Sequence, residues 1–207
     1  MVKEGIPFIS VPLVLALVFA ALYLWLGTYV LLLAVFGWLF LAGFMAYFFR
    51  DPRRDAPSEA DVVLSAADGR VTRVEERAEG KFVSVFLSPL DVHINRAPIA
   101  GRVVKIDYMK GHKKPATRDD ASIINERNAL TIEGERMTVV CTQIAGILAR
   151  RIVCWSKQGD ELQLGEKFGL IKFSSRTDLL LPHEVEVLVK VGDRVRGGVT
   201  IVGRLKG

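Results

Sequence analysis

Charge is almost missing from the first fifty residues of this 207-residue chain, where only Lys3, Glu4 and Arg50 carry any. Between them run two apolar stretches, Ile6 to Leu26 and Tyr29 to Phe49. A bilayer core about 30 Å thick needs roughly 20 apolar helical residues, and backbone in lipid must satisfy its hydrogen bonds within the segment, so each stretch predicts a spanning helix. Gly27 and Thr28 leave room only for a tight turn, which makes the pair an antiparallel hairpin with both ends on one side of a membrane. Lys3 flanks one end and Arg50, Arg53 and Arg54 the other, with no basic residue in the turn. The positive-inside rule assigns that side to the cytoplasm, so the expected location is the cell membrane with the remaining chain on its cytoplasmic face. A cleaved signal peptide has one short apolar core, whereas here a second span follows at once. A buried hairpin in a soluble core is the competing reading, and Trp25, Tyr29 and Tyr47 near the span ends argue against it.

Cysteine is scarce as well. Cys141 and Cys154, each among apolar neighbours, are too few for a zinc site and read as buried free thiols in a reducing compartment, so no metal is expected. Also absent is a basic stripe with interleaved aromatics. Lys3 and Arg50 against Glu4 leave +1 of the net +5 in the first fifty residues, and the mild excess in the rest suits anionic lipid. Nucleic acid is therefore not an expected partner.

Strict helical periodicity is nearly missing after residue 50. Asp51 to Glu59, with Pro52 and Pro57, reads as a linker from an anchor (1–50) to a domain of ordinary length (51–207). In that domain Val62 to Leu64, Val71 to Val74, Phe82 to Leu87, Arg102 to Tyr108, Ala129 to Ile132, Thr138 to Ile144 and Ala149 to Trp155 are short β-branched or aromatic runs bounded by turn residues. Phe168 to Phe173, Thr177 to Leu181, Glu184 to Val189 and Thr200 to Leu205 continue the pattern. The predicted fold is mainly β, a barrel-sandwich-like antiparallel domain preceded by a two-helix transmembrane hairpin. The segments Ala67-Asp-Gly-Arg-Val71 and Val191-Gly-Asp-Arg-Val-Arg-Gly-Gly198 are alike, each opening a strand. Such Gly-Asp turns recur in biotinyl and lipoyl carrier domains, but no Met-Lys-flanked hairpin turn is present, since Met109-Lys110-Gly111 lies in a basic loop. The likeness concerns fold, not carrier function.

Only three histidines are available for acid–base work near neutrality. His112 sits in the basic loop and His183 follows Pro182 at a turn. His93 lies in the polar run Leu87-Ser-Pro-Leu-Asp-Val-His-Ile-Asn-Arg-Ala-Pro98 and is the best candidate. Two serines, Ser174 and Ser175, interrupt an apolar strand pattern just before Arg176 and Asp178. Asp68 precedes Gly69 and is either a turn residue or a buried orienting carboxylate. A hydroxyl, an imidazole and a carboxylate are the parts of a nucleophile, base and orienter.

In order along the chain stand Phe48-Phe-Arg-Asp-Pro52, Ala67-Asp-Gly69, Leu87-Ser-Pro-Leu-Asp-Val-His93, Asn125-Glu-Arg-Asn128, Gln143-Ile-Ala-Gly146, Ala149-Arg-Arg151 and Phe173-Ser-Ser-Arg-Thr-Asp178. This series resembles the short bacterial and archaeal form of the phosphatidylserine decarboxylase proenzymes over nearly the whole chain. The resemblance implies a self-processing enzyme whose pyruvoyl cofactor is made from a serine of its own backbone, here Ser175. It implies a large fragment 1–174 and a small fragment 175–207 that remain partners, a membrane phospholipid substrate of acyl or ether type, and room for a homo-oligomer. The ketone is needed because losing CO2 from an amino acid leaves a carbanion, and a conjugated carbonyl provides an electron sink.

By the same resemblance His93 is the base for self-cleavage or the acid that returns a proton, and Asp68 orients or supports that base. Arg96, Arg150, Arg151 and Arg176 are the candidates for the substrate's phosphate and carboxylate. Two departures stand out. Long-form relatives carry a second histidine three residues on, where this chain has Arg96. The family's cleaved bond is Gly-Ser, where this chain has Ser174-Ser175; losing glycine's freedom and small size there predicts slower processing. A non-catalytic alternative is a membrane-anchored adaptor, but such adaptors usually bear a long coiled-coil arm, and none is visible.

Overall fold

The computed structural model describes residues 1–112, 124–146, 151–172 and 175–206, which fall into two compact units, Met1–Pro52 and Arg53–Gly207. The first unit holds two helices, α1 (Ile6–Leu26) and α2 (Val30–Phe48). At 1.5 Å per residue their 21 and 19 residues reach about 30 Å each, the thickness of a hydrocarbon core. Gly27 ends α1 in the left-handed region at φ 66°, its N–H donating to Tyr23 O at 2.8 Å, so the tight turn forms where the sequence predicts it. Both helices are long and apolar enough to cross a membrane, and only 11% and 6% of their most apolar stretches is buried. A hairpin in a soluble core would be mostly buried; this one turns its Leu, Phe and Trp side chains outward, which suits lipid and fits membrane association.

Among the described residues the second unit holds fourteen strands: β1 (Val62–Leu64), β2 (Gly69–Arg77), β3 (Gly80–Leu87), β4 (Ile94–Arg96), β5 (Gly101–Met109), β6 (Arg127–Glu133), β7 (Thr138–Ala145), β8 (Arg151–Cys154), β9 (Glu161–Leu162), β10 (Lys167–Lys172), β11 (Ser175–Leu181), β12 (Val185–Val187), β13 (Arg194–Val195) and β14 (Ile201–Leu205). Eight form one antiparallel sheet in the order β13-β2-β3-β11-β7-β6-β5-β9, curled into a half-barrel. Two three-stranded sheets, β1-β14-β12 and β4-β10-β8, complete the unit. The fold is thus mainly β, as the short β-branched runs predict. Fully buried Val83, Val85, Leu130, Ile132 and Leu179 lie at the centre of the core. In β6 and β7 buried and more exposed residues alternate, the signature of a sheet with one face inward.

The two Gly-Asp segments lie against each other. Arg194 and Val195 of β13 pair with Arg70 and Gly69 of β2, Val71 N donates to Asp193 O at 2.9 Å, and Gly192 N donates to Val71 O at 2.8 Å. Gly69 has φ +151°, and a Cβ there would stand 2.1 Å from Phe86 O, so only glycine fits beside β3.

Three strands escape the sequence reading: β4, β9 and β13, each of two or three residues. The important one is β4, Ile-Asn-Arg, which carries no β-branched run. Ser175 and Arg176, which lie just before the predicted strand Thr177 to Leu181, open β11. That strand is central, between β3 and β7, with Ser175 opposite Leu87 and Ala145. The predicted strand ends at Ala149, Arg150 and Phe173 lie outside the described residues.

Candidate active site

β11 has a composition unusual for a central strand. Its first four residues, Ser175-Arg-Thr-Asp178, are polar and buried, and only then do Leu179 and Leu181 supply apolar packing. A polar group removed from water costs about 1–3 kcal/mol unless it finds a partner. Three of the four find one. Arg176 lies against Asp178, Nε 2.9 Å from Oδ1 and Nη2 donating to Oδ2 at 2.9 Å, in an ion pair almost wholly removed from solvent. Ser84 Oγ donates to Asp178 Oδ1 at 2.7 Å, and Thr177 Oγ1 accepts from Asn95 Nδ2 at 2.8 Å. The fourth, Ser175 Oγ, is buried and makes no hydrogen bond among the described residues.

His93 reaches the same region by a different route. β10 and β4 are antiparallel with Leu170 opposite Ile94, and Ile171 N donates to His93 O at 3.1 Å, which sets His93 beside the last residues of β10. The chain leaves the small sheet after Lys172 and enters the large one at Ser175. Side chains two apart on a strand share a face. Asn95 and Thr177 are hydrogen-bonded to each other, and His93 and Ser175 stand two residues before them, at the end of each strand that β10 approaches. The fold therefore brings His93 and Ser175, 82 positions apart in sequence, to one end of the interior. His93 is 3% exposed, and its Nδ1 is 2.9 Å from Asp91 O. A carbonyl only accepts, so Nδ1 carries the proton of the neutral ring and Nε2 keeps the lone pair that a base requires. Asp91 is itself fixed, its carboxylate accepting from Ser88 N at 2.8 Å and Ser88 Oγ at 2.7 Å.

Asp68 stands further back. Its Oδ1 accepts from Gly197 N at 2.8 Å and its Oδ2 from Arg54 Nη2 at 2.7 Å, so the carboxylate clamps the turn that opens β2. Of the four arginines, Arg176 is engaged with Asp178 on the face of β11 opposite Ser175, and Arg96, 8% exposed, donates from Nη1 to Gly165 O at 3.0 Å. Arg151 is exposed at the start of β8, opposite Lys172. Arg150 and Ser174 lie outside the described residues. Burial pushes the thiols of Cys141 and Cys154 up, which leaves both protonated at neutral pH and poor nucleophiles.

One group of buried residues has only a faint sequence signal. Asn128 Nδ2 donates to Gln143 Oε1 at 3.0 Å, and Gln143 Nε2 donates to Asn95 Oδ1 at 2.9 Å. All three side chains are buried, and they belong to the segments Asn125–Asn128, Gln143–Gly146 and His93–Arg96.

A mainly β domain with two membrane-compatible helices, a buried serine hydroxyl and an imidazole whose Nε2 carries a lone pair defines a candidate nucleophile–base enzyme working near lipid. The chain matches the family Phosphatidylserine decarboxylase over residues 41–203. It is 45% identical to the phosphatidylserine decarboxylase proenzyme of Magnetococcus marinus over 99% of this chain and 95% of that protein, and 42% identical to that of Carboxydothermus hydrogenoformans over 100% and 97%. The proenzyme of Gluconobacter oxydans is 49% identical over 78% of this chain and 77% of its own length. The chain belongs to the phosphatidylserine decarboxylase family.

Proposed function

We propose that this protein decarboxylates phosphatidylserine, or its ether-linked equivalent, with a pyruvoyl group that it makes from Ser175 by cutting its own chain between residues 174 and 175. The observation that carries this reading is the Ser175 hydroxyl, buried without a hydrogen-bond partner among the described residues at the start of a central strand, in a family whose relatives are named proenzymes. A native fold tolerates such an orphan when the group has chemical work to do.

In self-cleavage His93 Nε2 takes the Ser175 hydroxyl proton while Oγ attacks the carbonyl carbon of residue 174. The C–N bond breaks, the nitrogen takes up a proton, and an ester joins residue 174 to the serine side chain. Loss of the Ser175 α-proton then expels the residue 174 carboxylate by β-elimination, leaving fragment 1–174 and a dehydroalanine at 175. Water converts that residue to a ketone with release of ammonia. The resulting pyruvoyl group, when formed, supplies an electron sink for the pair left behind as CO2 departs. The buried, water-poor surroundings of Ser175 suit it, because a ketone needs no charge partner there.

The residues around the site have separate tasks. His93 moves the proton at Ser175 Oγ and is the candidate to return one to the substrate's α-carbon. Asp68 supports it at one remove: it clamps the Ser65–Gly69 turn, whose Ala66 O accepts from Arg96 N at 2.9 Å and so holds β4. Arg151 is exposed at the start of β8 and pairs in register with Lys172 of β10, so two cationic residues stand side by side at that edge strand. Arg151 is the candidate contact for the headgroup phosphate, and Arg96 and Arg176 keep their buried partners. The anchor tethers the domain to the leaflet that holds the substrate, and the basic flanks favour the cytoplasmic side.

Intact mass tests the reading. Purified protein is expected to yield fragments 1–174 and 175–207, the smaller blocked at its N-terminus. Ser174→Gly is expected to speed cleavage by about ten- to a hundredfold, since strained backbone at a serine costs about 1–3 kcal/mol. If neither form ever splits, the pyruvoyl reading is wrong. Arg151→Ala is expected to raise KM for phosphatidylserine in vesicles by about tenfold with kcat nearly kept, the mark of a lost ground-state contact. An unchanged KM would remove Arg151 from the headgroup site.

A further inference from the structure

We infer that the buried amide chain from Asn128 through Gln143 and Asn95 to the Thr177 hydroxyl is the positioning device that holds His93 beside Ser175, before and after the chain is cut. This rests on the reading of Ser175 as the nucleophile. Each member donates to the next, at 3.0, 2.9 and 2.8 Å, so Gln143 and Asn95 use both their carbonyl oxygen and their amide nitrogen. Asn95 Nδ2 also lies 3.4 Å from Ala66 O. A buried, continuous network of this kind rigidifies its surroundings and favours one arrangement of the elements it joins.

What it joins matters. Asn95 belongs to the small sheet, whereas Gln143 and Thr177 sit opposite each other on β7 and β11 of the large one. The Asn95 side chain ties β4 to the large sheet, donating to Thr177 Oγ1 and accepting from Gln143 Nε2. Asn95 and Thr177 each stand two residues beyond a proposed reacting group, so fixing one pair fixes the other. β4 has only three residues and little ladder of its own to resist sliding.

Cleavage raises the demand. In the precursor the covalent path from Lys172 to Ser175 also ties the two sheets together at the site. Once the bond between 174 and 175 is cut, that tie is gone, and the amide chain remains to keep His93 over the new N-terminus. The same four side chains thus serve both self-cleavage and decarboxylation. None touches the reacting atoms in the proposed scheme; they act through His93 and Ser175.

The test uses the full-length protein in detergent with Ser174→Gly as the cleaving parent, and compares Asn95→Ala, Thr177→Val and Thr177→Ser. Thr177→Val removes the acceptor at similar shape and decides the matter if Asn95→Ala does not fold. Thr177→Val is expected to cleave at least about tenfold more slowly, and once cleaved to show kcat per pyruvoyl group lowered to a similar degree with KM unchanged. Its unfolding temperature should stay within about 4 °C of the parent. Thr177→Ser, which keeps the hydroxyl, should restore both rates. Parent-like cleavage and kcat in Thr177→Val would overturn the inference and leave self-cleavage standing. So would losses that track the unfolding temperature and are not restored by Thr177→Ser, because those belong to a scaffold. A parent that never cleaves would instead sink the Ser175 reading, and this inference with it.

Discussion

Ser175→Ala is expected to abolish self-cleavage and lipid decarboxylation together, while making the uncleaved precursor more stable than its parent. The two effects have one cause. Ser175 Oγ is buried in a central strand and makes no hydrogen bond among the described residues, and a buried hydroxyl without a partner costs about 1–3 kcal/mol. Alanine removes the oxygen and keeps the Cβ, leaving backbone pairing with Leu87 and Ala145 intact. A gain of about 1 kcal/mol corresponds to roughly 2–4 °C in a chain of this size. Cleavage is lost because the attacking oxygen is gone, and decarboxylation is lost because the ketone is never made at residue 175. The measurement is an intact-mass time course, an assay with carboxyl-labelled phosphatidylserine, and thermal unfolding of the uncleaved proteins. Decarboxylation that survives Ser175→Ala would exclude the pyruvoyl mechanism. A fall in unfolding temperature would show that the hydroxyl has a structural partner after all.

The same strand shows what the sequence could and could not reveal. The apolar hairpin was legible in full, down to the Gly27 turn, because lipid imposes long uninterrupted apolar runs and no tertiary partner is needed to explain them. The longer strands were legible because β-branched runs between turn residues carry their own signal. β4 was not, and neither was the start of β11. Ile-Asn-Arg and the Ser-Arg that precedes the predicted strand Thr177 to Leu181 look like loop sequences, since their polar side chains find partners only once the chain has folded: Asn95 with Gln143 and Thr177, Arg176 with Asp178. A strand whose hydrogen-bonding demands are met only after folding leaves no periodicity to read. Functional elements are where such conflicts between local pattern and global fold are expected.

Candidate residues divided along similar lines. Residue type and motif order singled out Ser175, His93 and Asp68. Their contacts were beyond reach: that Asp91 O, a backbone atom, meets the imidazole Nδ1 while Asp68 engages Arg54 and Gly197 follows from turn geometry rather than from spacing. The arginines were least legible. A guanidinium reads alike in sequence whether it is buried against Asp178, as Arg176 is, or exposed as Arg151 is, and only burial separates a structural ion pair from a candidate headgroup contact.

His93→Asn is expected to slow self-cleavage by about a hundredfold or more while the domain stays folded. Asparagine can place an amide N–H where Nδ1–H now donates to Asp91 O, so the hydrogen bond that fixes the side chain is retained. What disappears is the Nε2 lone pair, the base that takes the Ser175 proton. The pH dependence should change with it. In a parent that cleaves, the rate climbs with pH as the imidazolium gives up its proton and becomes able to accept one. In His93→Asn that limb should flatten, leaving a slow rate that responds only to hydroxide. The check is first-order cleavage of freshly translated full-length Ser174→Gly protein across about pH 5 to 9, with and without His93→Asn. Added imidazole offers a second readout: restoration of the mutant's rate supports base catalysis at this position. If His93→Asn cleaves at the parent's rate with the same pH profile, the proton goes elsewhere, and the base must be sought among the other groups around Ser175.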